Sequence, residues 1–333
     1  MTNLIKQKCT VLLLLIALIG SNKTWAQQDK LFSQYMFNMM ALNPAYAGSR
    51  DVLSATALYR NQWGGMPGAP QTATFSLDMP VNRERVGLGL QLFNDQIGLE
   101  NWTGAMLSYA FRIKLSERTT MALGLQGGAM NFRWDLTNAN LGNNLSDPAF
   151  ANNVSKILPN FGTGIYLSND RSYLGVSVPY LIENNLNDYD NDQRAKVRRH
   201  YYAMAGFVVG RNTLKLKPSM MARYVNGAGL SLDGNLNLWF NDRVAIGASY
   251  RHNRISTYAG QIQQIDGKVM RGDALVGMIE LQLSDQFRLG YSYDWTRNNL
   301  NESRKFLNIP THEIMLRYEF GFTKSKILTP RYF

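Results

Sequence analysis

The feature that most constrains this chain is a repeated alternation of apolar and polar residues, sustained over runs long enough to cross a lipid bilayer as tilted β-strands. A period of two marks a strand with one apolar and one polar face, and a tilted membrane strand needs about 9–11 residues. In 72–79, Ala73, Phe75, Leu77 and Met79 alternate with Thr72, Thr74, Ser76 and Asp78. Leu230, Leu232, Leu236 and Leu238 oppose Ser231, Asp233, Asn235 and Asn237. Phe287, Leu289, Tyr291, Tyr293 and Trp295 oppose Arg288, Gly290, Ser292 and Asp294, and Ile314, Leu316, Tyr318, Phe320 and Phe322 oppose Met315, Arg317, Glu319 and Gly321. No stretch outside the first 26 residues reaches the ~18 consecutive apolar residues of a membrane helix.

Fourteen strands are predicted, near 52–61, 70–80, 85–94, 102–115, 118–133, 157–168, 172–180, 199–210, 213–225, 229–240, 243–252, 272–284, 286–297 and 310–323. Their connections sort by length. Short ones run Val81 to Glu84, Ser116 to Glu117, Asn169 to Arg171, Gly210 to Asn212, Asn241 to Asp242, and Asp285. Longer ones run Gln62 to Ala69, Asn94 to Glu100, Asp135 to Lys156, Leu181 to Arg198, Asn253 to Arg271, and Asn298 to Ile309; only Asn226-Gly227-Ala228 breaks the pattern. Short turns at one end, long loops at the other and an even strand count describe an outer-membrane barrel. Hydrocarbon forbids an unpaired sheet edge, and closure removes edges. The predicted fold is therefore all-β, a transmembrane antiparallel β-barrel of about fourteen strands over 51–333. Alternation also reconciles a mean hydropathy of −0.25 with only 18% charged residues.

Residues 1–26 read as an export signal. Lys6 and Lys8 precede the apolar run Val11 to Ile19, and Thr24-Trp25-Ala26 offers a cleavage site before Gln27. Cys9 is the only cysteine and lies in that signal, so disulfides cannot hold the exported chain. Removing Lys6, Lys8 and Lys23 still leaves a basic excess. For an exported protein, membrane lipid phosphates fit that charge better than nucleic acid. The expected location is the outer membrane, with both termini periplasmic and the long loops outside.

Charge on the lipid face at mid-bilayer costs about 2–4 kcal/mol. Arg60, Asp78, Arg112, Lys114, Lys215, Lys217, Arg223, Asp233, Arg288, Asp294, Arg317 and Glu319 therefore belong in the lumen or at its rims, as ion pairs of both signs in a crowded interior. Trp63, Trp102, Trp134, Trp239 and Trp295 stand at or near strand ends, where an interfacial girdle is expected. Residues 27–50 are too polar and irregular for a membrane strand, and read as a periplasmic leader or a short plug inside the barrel.

Catalytic signatures are missing. His200, His252 and His312 are scattered, so no zinc site is expected, and no cofactor, nucleophile elbow or phosphate loop is legible. Gly124, Gly127 and Gly128 lie in a strand pattern and read as bending or small lumen-side packing. Lys196, Arg198, Arg199 and His200 form a basic run that is either a solvated rim or a contact for lipid phosphates or an acidic partner. Asp188, Asp190 and Asp192 are a weak Ca²⁺ pattern, lacking the later ligands.

Several blocks in order resemble the PorP/SprF family of the Bacteroidetes type IX secretion system. They are Phe32-Ser33-Gln34-Tyr35 with Asn38, then Asn43-Pro44-Ala45-Tyr46-Ala47-Gly48, Arg60-Asn61-Gln62-Trp63 and Gly68-Ala69-Pro70-Gln71-Thr72. They continue with Pro159-Asn160-Phe161-Gly162-Thr163-Gly164, Leu216-Lys217-Pro218-Ser219, Gly290-Tyr291-Ser292-Tyr293-Asp294, His312-Glu313-Ile314 and Tyr318. The resemblance implies an outer-membrane barrel, not an enzyme, that supports secretion or surface anchoring of a large exported protein such as a gliding adhesin. Its expected partners are that protein's type IX C-terminal domain and periplasmic type IX or peptidoglycan-binding lipoproteins. The candidate residues are Asn43, Pro44, Ala45, Tyr46 and Gly48 as plug, and Arg60, Asn61, Gln62, Trp63, Gly68, Ala69 and Pro70 on external loops, for partner binding or gating. The connection 253–271 is longer than the family's usual one and is either a partner site or a neutral insertion. Asn43-Pro44-Ala45 also resembles the hatch of FadL-type transporters, which makes uptake of a hydrophobic small molecule the alternative. An apolar lumen pocket would favour it.

Overall fold

The computed structural model describes residues 32–139, 150–186, 196–211, 213–226, 229–253, 264–265, 268–269, 273–297 and 310–320. The predicted signal, the acidic triplet Asp188, Asp190 and Asp192, and most of the 253–271 connection lie outside the described residues.

The strands are β1 (Leu53–Asn61), β2 (Gln71–Val81), β3 (Val86–Ile97), β4 (Glu100–Lys114), β5 (Thr120–Trp134), β6 (Val154–Ser168) and β7 (Ser172–Val178). After them come β8 (His200–Phe207, resuming as Val209–Arg211), β9 (Leu214–Val225), β10 (Gly229–Phe240), β11 (Val244–Asn253), β12 (Asp273–Gln282), β13 (Phe287–Arg297) and β14 (Thr311–Phe320). Each pairs antiparallel with the next, and β1 pairs with β14 from Leu53↔Phe320 to Asn61↔His312. The result is a closed antiparallel barrel of fourteen strands.

Alternation sets the faces. On β2, Thr72, Thr74, Ser76 and Asp78 are buried while Phe75 and Met79 are exposed. Among the described residues, Leu107, Leu125 and Ile157 are the most exposed apolar side chains, at 66%, 62% and 76%, and form part of the lipid face. Asn241 and Asp242 both have positive φ (48° and 57°), and the Arg243 N–H bonds the Phe240 carbonyl (2.9 Å), a tight turn that closes the ladder at Phe240↔Val244. The β3–β4 connection differs from the sequence reading. Asn94, Asp95 and Gln96 look like loop residues but extend the ladder, pairing Gln96 with Asn101 and leaving only Gly98 and Leu99 as the turn.

Three elements depart from an ideal wall. Strand β7 stops at Val178, short of the predicted 180, while β6 continues to Val154 at its long-loop end. Strand β8 breaks at Val208, whose N–H bonds the carbonyl of Arg171 (2.8 Å). Trp239 is 5% exposed and faces inward with the Arg288 guanidinium 4.9 Å from its ring, so it does not belong to an interfacial girdle. Trp295, 44% exposed, stands on the outer face.

Residues 32–50 lie within the ring of strands, and all but Ser49 are buried. They form two 3₁₀ turns (Tyr35–Phe37 and Pro44–Tyr46) around one helical turn (Met39–Leu42). Asn43 ends the helical turn and caps the second 3₁₀ turn, its Oδ1 accepting the Ala45 N–H at 2.9 Å. Pro44 occupies the first position of that 3₁₀ turn, where a missing N–H costs nothing.

Candidate functional site

The lumen and the segment inside it fit each other backbone to backbone. On inward positions of β3, β5, β6, β7 and β13 stand Gly87, Gly89, Gly124, Gly164, Gly175 and Gly290. A Cβ on Gly87 would overlap the Ala47 carbonyl, and one on Gly124 would overlap the backbone of Pro44 and Ala45. On Gly164 and Gly175 it would meet the Asn43 amide, and on Gly290 the Gln34 amide. The cleared track lets Asn43 Nδ2 reach the wall itself, donating to the carbonyls of Ile165 (3.0 Å) and Val176 (3.5 Å). Gly48, at φ +70°, turns the segment into β1 against Gly87, and its N–H donates to Asp78 (2.9 Å). Tyr35, Met36, Phe37, Met39, Met40, Leu42 and Tyr46 are each at most 4% exposed. Each such side chain adds on the order of 1.5–3 kcal/mol of burial.

Charge fastens the segment at both ends. Toward the long-loop end, Glu313 accepts the N–H groups of Ser33 (2.9 Å) and Gln34 (2.7 Å). Arg60 pairs with Glu313 (3.0 Å) and Asp294 (2.8 Å), and the Ser33 hydroxyl donates to Asp294 (2.6 Å). Arg251 pairs with Asp233 (2.6 Å) and donates to the Phe32 carbonyl (3.1 Å). Toward the short-turn end, Arg50 pairs with Glu319, and Arg112 with Asp51 at 2.5 Å. Between them, Arg317 donates to the Phe37 carbonyl (2.7 Å) and the Tyr35 hydroxyl to Ser219 (3.1 Å). Burial pushes the Tyr35 hydroxyl above its ordinary pKa, against the pull of its Ser219 bond.

The predicted residues thus divide into three places. Asn43, Pro44, Ala45, Tyr46 and Gly48 lie along the glycine track. Arg60 is not an external loop residue: it belongs to β1, is 3% exposed and points into the lumen, where it meets Ser33 rather than residues 43–48. Asn61 is likewise a strand residue, the last of β1, paired with His312 and Gln71, while Gln62, Trp63, Gly68, Ala69 and Pro70 remain at the rim. There the Gln62 N–H bonds Pro70 (2.9 Å), the Trp63 N–H bonds Thr311 (3.2 Å) and the Gly98 N–H bonds Gly68 (2.9 Å). Sequence reasoning overlooked Arg251, Glu280 and Arg50 as buried charges, and gave Glu313 no role. Their inward parity within β11, β12 and β14 was available as a signal for all but Arg50.

The lumen is also not charged all round. The outer parts of β3–β6 present Phe93, Met106, Met130, Phe132 and Leu158 inward, and Tyr180 and Leu186 from the connection after β7 pack onto them with Trp102. Among the described residues no group of three or more His, Cys, Asp or Glu could hold a metal ion.

A family model described as type IX secretion system membrane protein PorP/SprF matches residues 24–318. Among solved structures, a Pseudomonas aeruginosa FadL homologue aligns at 13% identity over 85% of this chain and 94% of its own, with TM-score 0.48. The CymD monoaromatic hydrocarbon channel aligns at 10% identity over 85% of this chain and 91% of its own, with TM-score 0.47. At these scores neither carries an argument about function. Among curated proteins none matches.

Proposed function

Since this chain belongs to the PorP/SprF family of type IX secretion system membrane proteins, we propose that it is an outer-membrane barrel that supports secretion or surface anchoring of a large exported protein such as a gliding adhesin. The match to the family model over 24–318 carries the reading. In it, residues 27–50 come after a cleaved signal and act as a plug, held by the glycine track and the two charged fastenings. Asn61, Gln62, Trp63, Gly68, Ala69 and Pro70 form part of the face that meets the client's C-terminal domain. The protein binds and does not catalyse, and its periplasmic side meets type IX or peptidoglycan-binding lipoproteins.

The test is a mild-detergent pull-down of the tagged protein from native outer membrane, read by mass spectrometry. The expected result is one very large surface protein with a type IX C-terminal domain. A second reading, uptake of a hydrophobic small molecule, draws support from the apolar quarter of the lumen on β3–β6. Recovery of the barrel alone with a bound lipid or fatty acid overturns the anchoring reading in favour of this one.

A further inference from the structure

We propose that the outward face of β1–β6, at the long-loop end, is a binding site for a phosphorylated glycolipid of the outer leaflet. The site takes the long loops to face outside, and it does not rest on the anchoring reading.

The ladder sets the polar residues in a row. Asn61 pairs with Gln71, Gln71 with Gln96, Gln96 with Asn101, Asn101 with Arg133, and Arg133 with Ser155. Gln96, Asn101 and Arg133 share the outer face with Leu92, Leu107 and Leu125, each an even number of positions away on the same strand. One step closer to the bilayer, Asn94, Thr103 and Asn131 form a second row. Asparagine is disfavoured in strands, so amides gathered on one face of a continuous ladder call for a reason. The other side of the barrel lacks them. At the same end of β8, β9, β11 and β13, the outward side chains are Tyr201, Tyr224, Tyr250 and Trp295, all exposed.

Depth selects the occupant. On β4 the outward residues from Ile113 to Ala105 are apolar and span ~26 Å of strand, or about 20 Å of height at the usual tilt. An apolar band is about 25 Å tall. Thr103 and Asn101 come next on that face, so they leave the hydrocarbon and enter the headgroup layer. The amide rows therefore continue the lipid face directly, and their neighbour in the plane of the membrane is the head of an outer-leaflet lipid.

The chemistry fits a sugar head. Asn94 Nδ2 donates to Asn101 Oδ1 (3.2 Å) and Thr103 Oγ1 (3.0 Å), and the Ser155 hydroxyl donates to Asn131 Oδ1 (3.2 Å). These bonds hold the amides in place, while the amide N–H groups of Asn101 and Asn131 bond nothing among the described residues. An amide offers donors and an acceptor together, which matches the paired donor and acceptor of each sugar hydroxyl. Arg133 is exposed between Asn101 and Ser155 and forms no ion pair among the described residues. Its planar guanidinium takes a phosphate through two parallel bonds. Below the rows, Ala105 and Ala129 pair with each other between the taller Leu92 and Pro159, a shallow trough in the lipid face for an acyl chain. Sugar, phosphate and chain thus fall in the order in which a glycolipid carries them.

The experiment is native mass spectrometry of the full barrel in detergent, titrated with diphosphorylated lipid A. Saturable retention of lipid A by the wild type is expected. Arg133→Gln, which removes the phosphate contact, and Asn101→Ala/Asn131→Ala, which removes sugar contacts, are each expected to weaken it by about tenfold. Arg118→Gln, at a short turn on the opposite rim, is expected to bind as wild type does. Should the double variant fail to fold, Gln96→Ala tests the same face with a single exposed side chain. Phosphatidylglycerol, an anionic lipid without a sugar, is expected to displace lipid A poorly. Equal displacement by phosphatidylglycerol, or equal lipid A affinity in wild type and the patch variants, overturns the proposal.

Discussion

Glu313 holds three donors at once: the N–H groups of Ser33 and Gln34 and the Arg60 guanidinium. Glu313→Ala removes one of the two carboxylates that pair with Arg60 and frees the Ser33 and Gln34 N–H groups at the start of the inner segment. Removing one partner from a buried pair costs about 3–5 kcal/mol, so the variant's barrel is expected to unfold at a clearly lower temperature on unboiled gels. A melting temperature equal to wild type would show that the fastening contributes nothing. Gly124→Ala tests the track from the opposite side. Its methyl overlaps Pro44 and Ala45, and overpacking of this kind costs about 1–3 kcal/mol. Protease added from the short-turn end is expected to cut between residues 32 and 50 in that variant and not in wild type. The inward parity of Asp294, Arg317 and Glu319 was legible because alternation assigns faces residue by residue. The role of Glu313 was not, since its partners Ser33 and Gln34 lie 280 and 279 positions away and obey no period. Arg60 was legible by parity as a lumen residue of the strand 52–61, but was grouped with the loop because Asn61-Gln62-Trp63 comes directly after it.

Strand by strand, most boundaries fall within one residue of the sequence reading, because turn chemistry at Val81–Glu84 and Asn241–Asp242 punctuates the alternation. The exceptions are cases where alternation outlives the ladder, or the ladder outlives it. Val176, Val178 and Tyr180 keep one apolar phase past the point where β7 leaves the wall, and Pro179 was the available sign, as a residue that cannot donate to a ladder. In β3 the reverse occurs, with polar residues carried in register beyond the apolar stretch. The difference between the ladder and the segment that follows β7 has a measurable consequence. Amides of 180–186 are expected to exchange with solvent deuterium orders of magnitude faster than those of β4 and β5, whose pairing runs from Glu100↔Trp134 to Lys114↔Thr120. Equal protection across both would mean that 180–186 are as fixed as the wall.

At the scale of the whole molecule, a closed ring surrounds a packed interior. Ion pairs occupy one side of that interior, apolar side chains the other, and residues 32–50 run between them. Liposomes carrying the purified protein are expected to show little ion conductance, whereas deletion of 32–50 is expected to produce steady current steps; a porin-like current from the intact chain would sink the plug reading. Fold class, strand count and family were all legible, because a membrane barrel must repeat one pattern around its circumference and the family's blocks recur in order. The client is not legible, because the surfaces that would distinguish one partner from another lie in the long loops, where no periodicity constrains the sequence.

The pairing of β1 with β14 also sets a problem in time. It joins the first and last strands, so it is the contact with the greatest sequence separation in the wall and the slowest for a chain to find. The inner segment is continuous with β1, yet it grips Glu313, Arg317 and Glu319 of β14. It therefore bonds the last strand as well as leading into the first, and in the folded barrel it holds the two ends of the sheet to each other from inside.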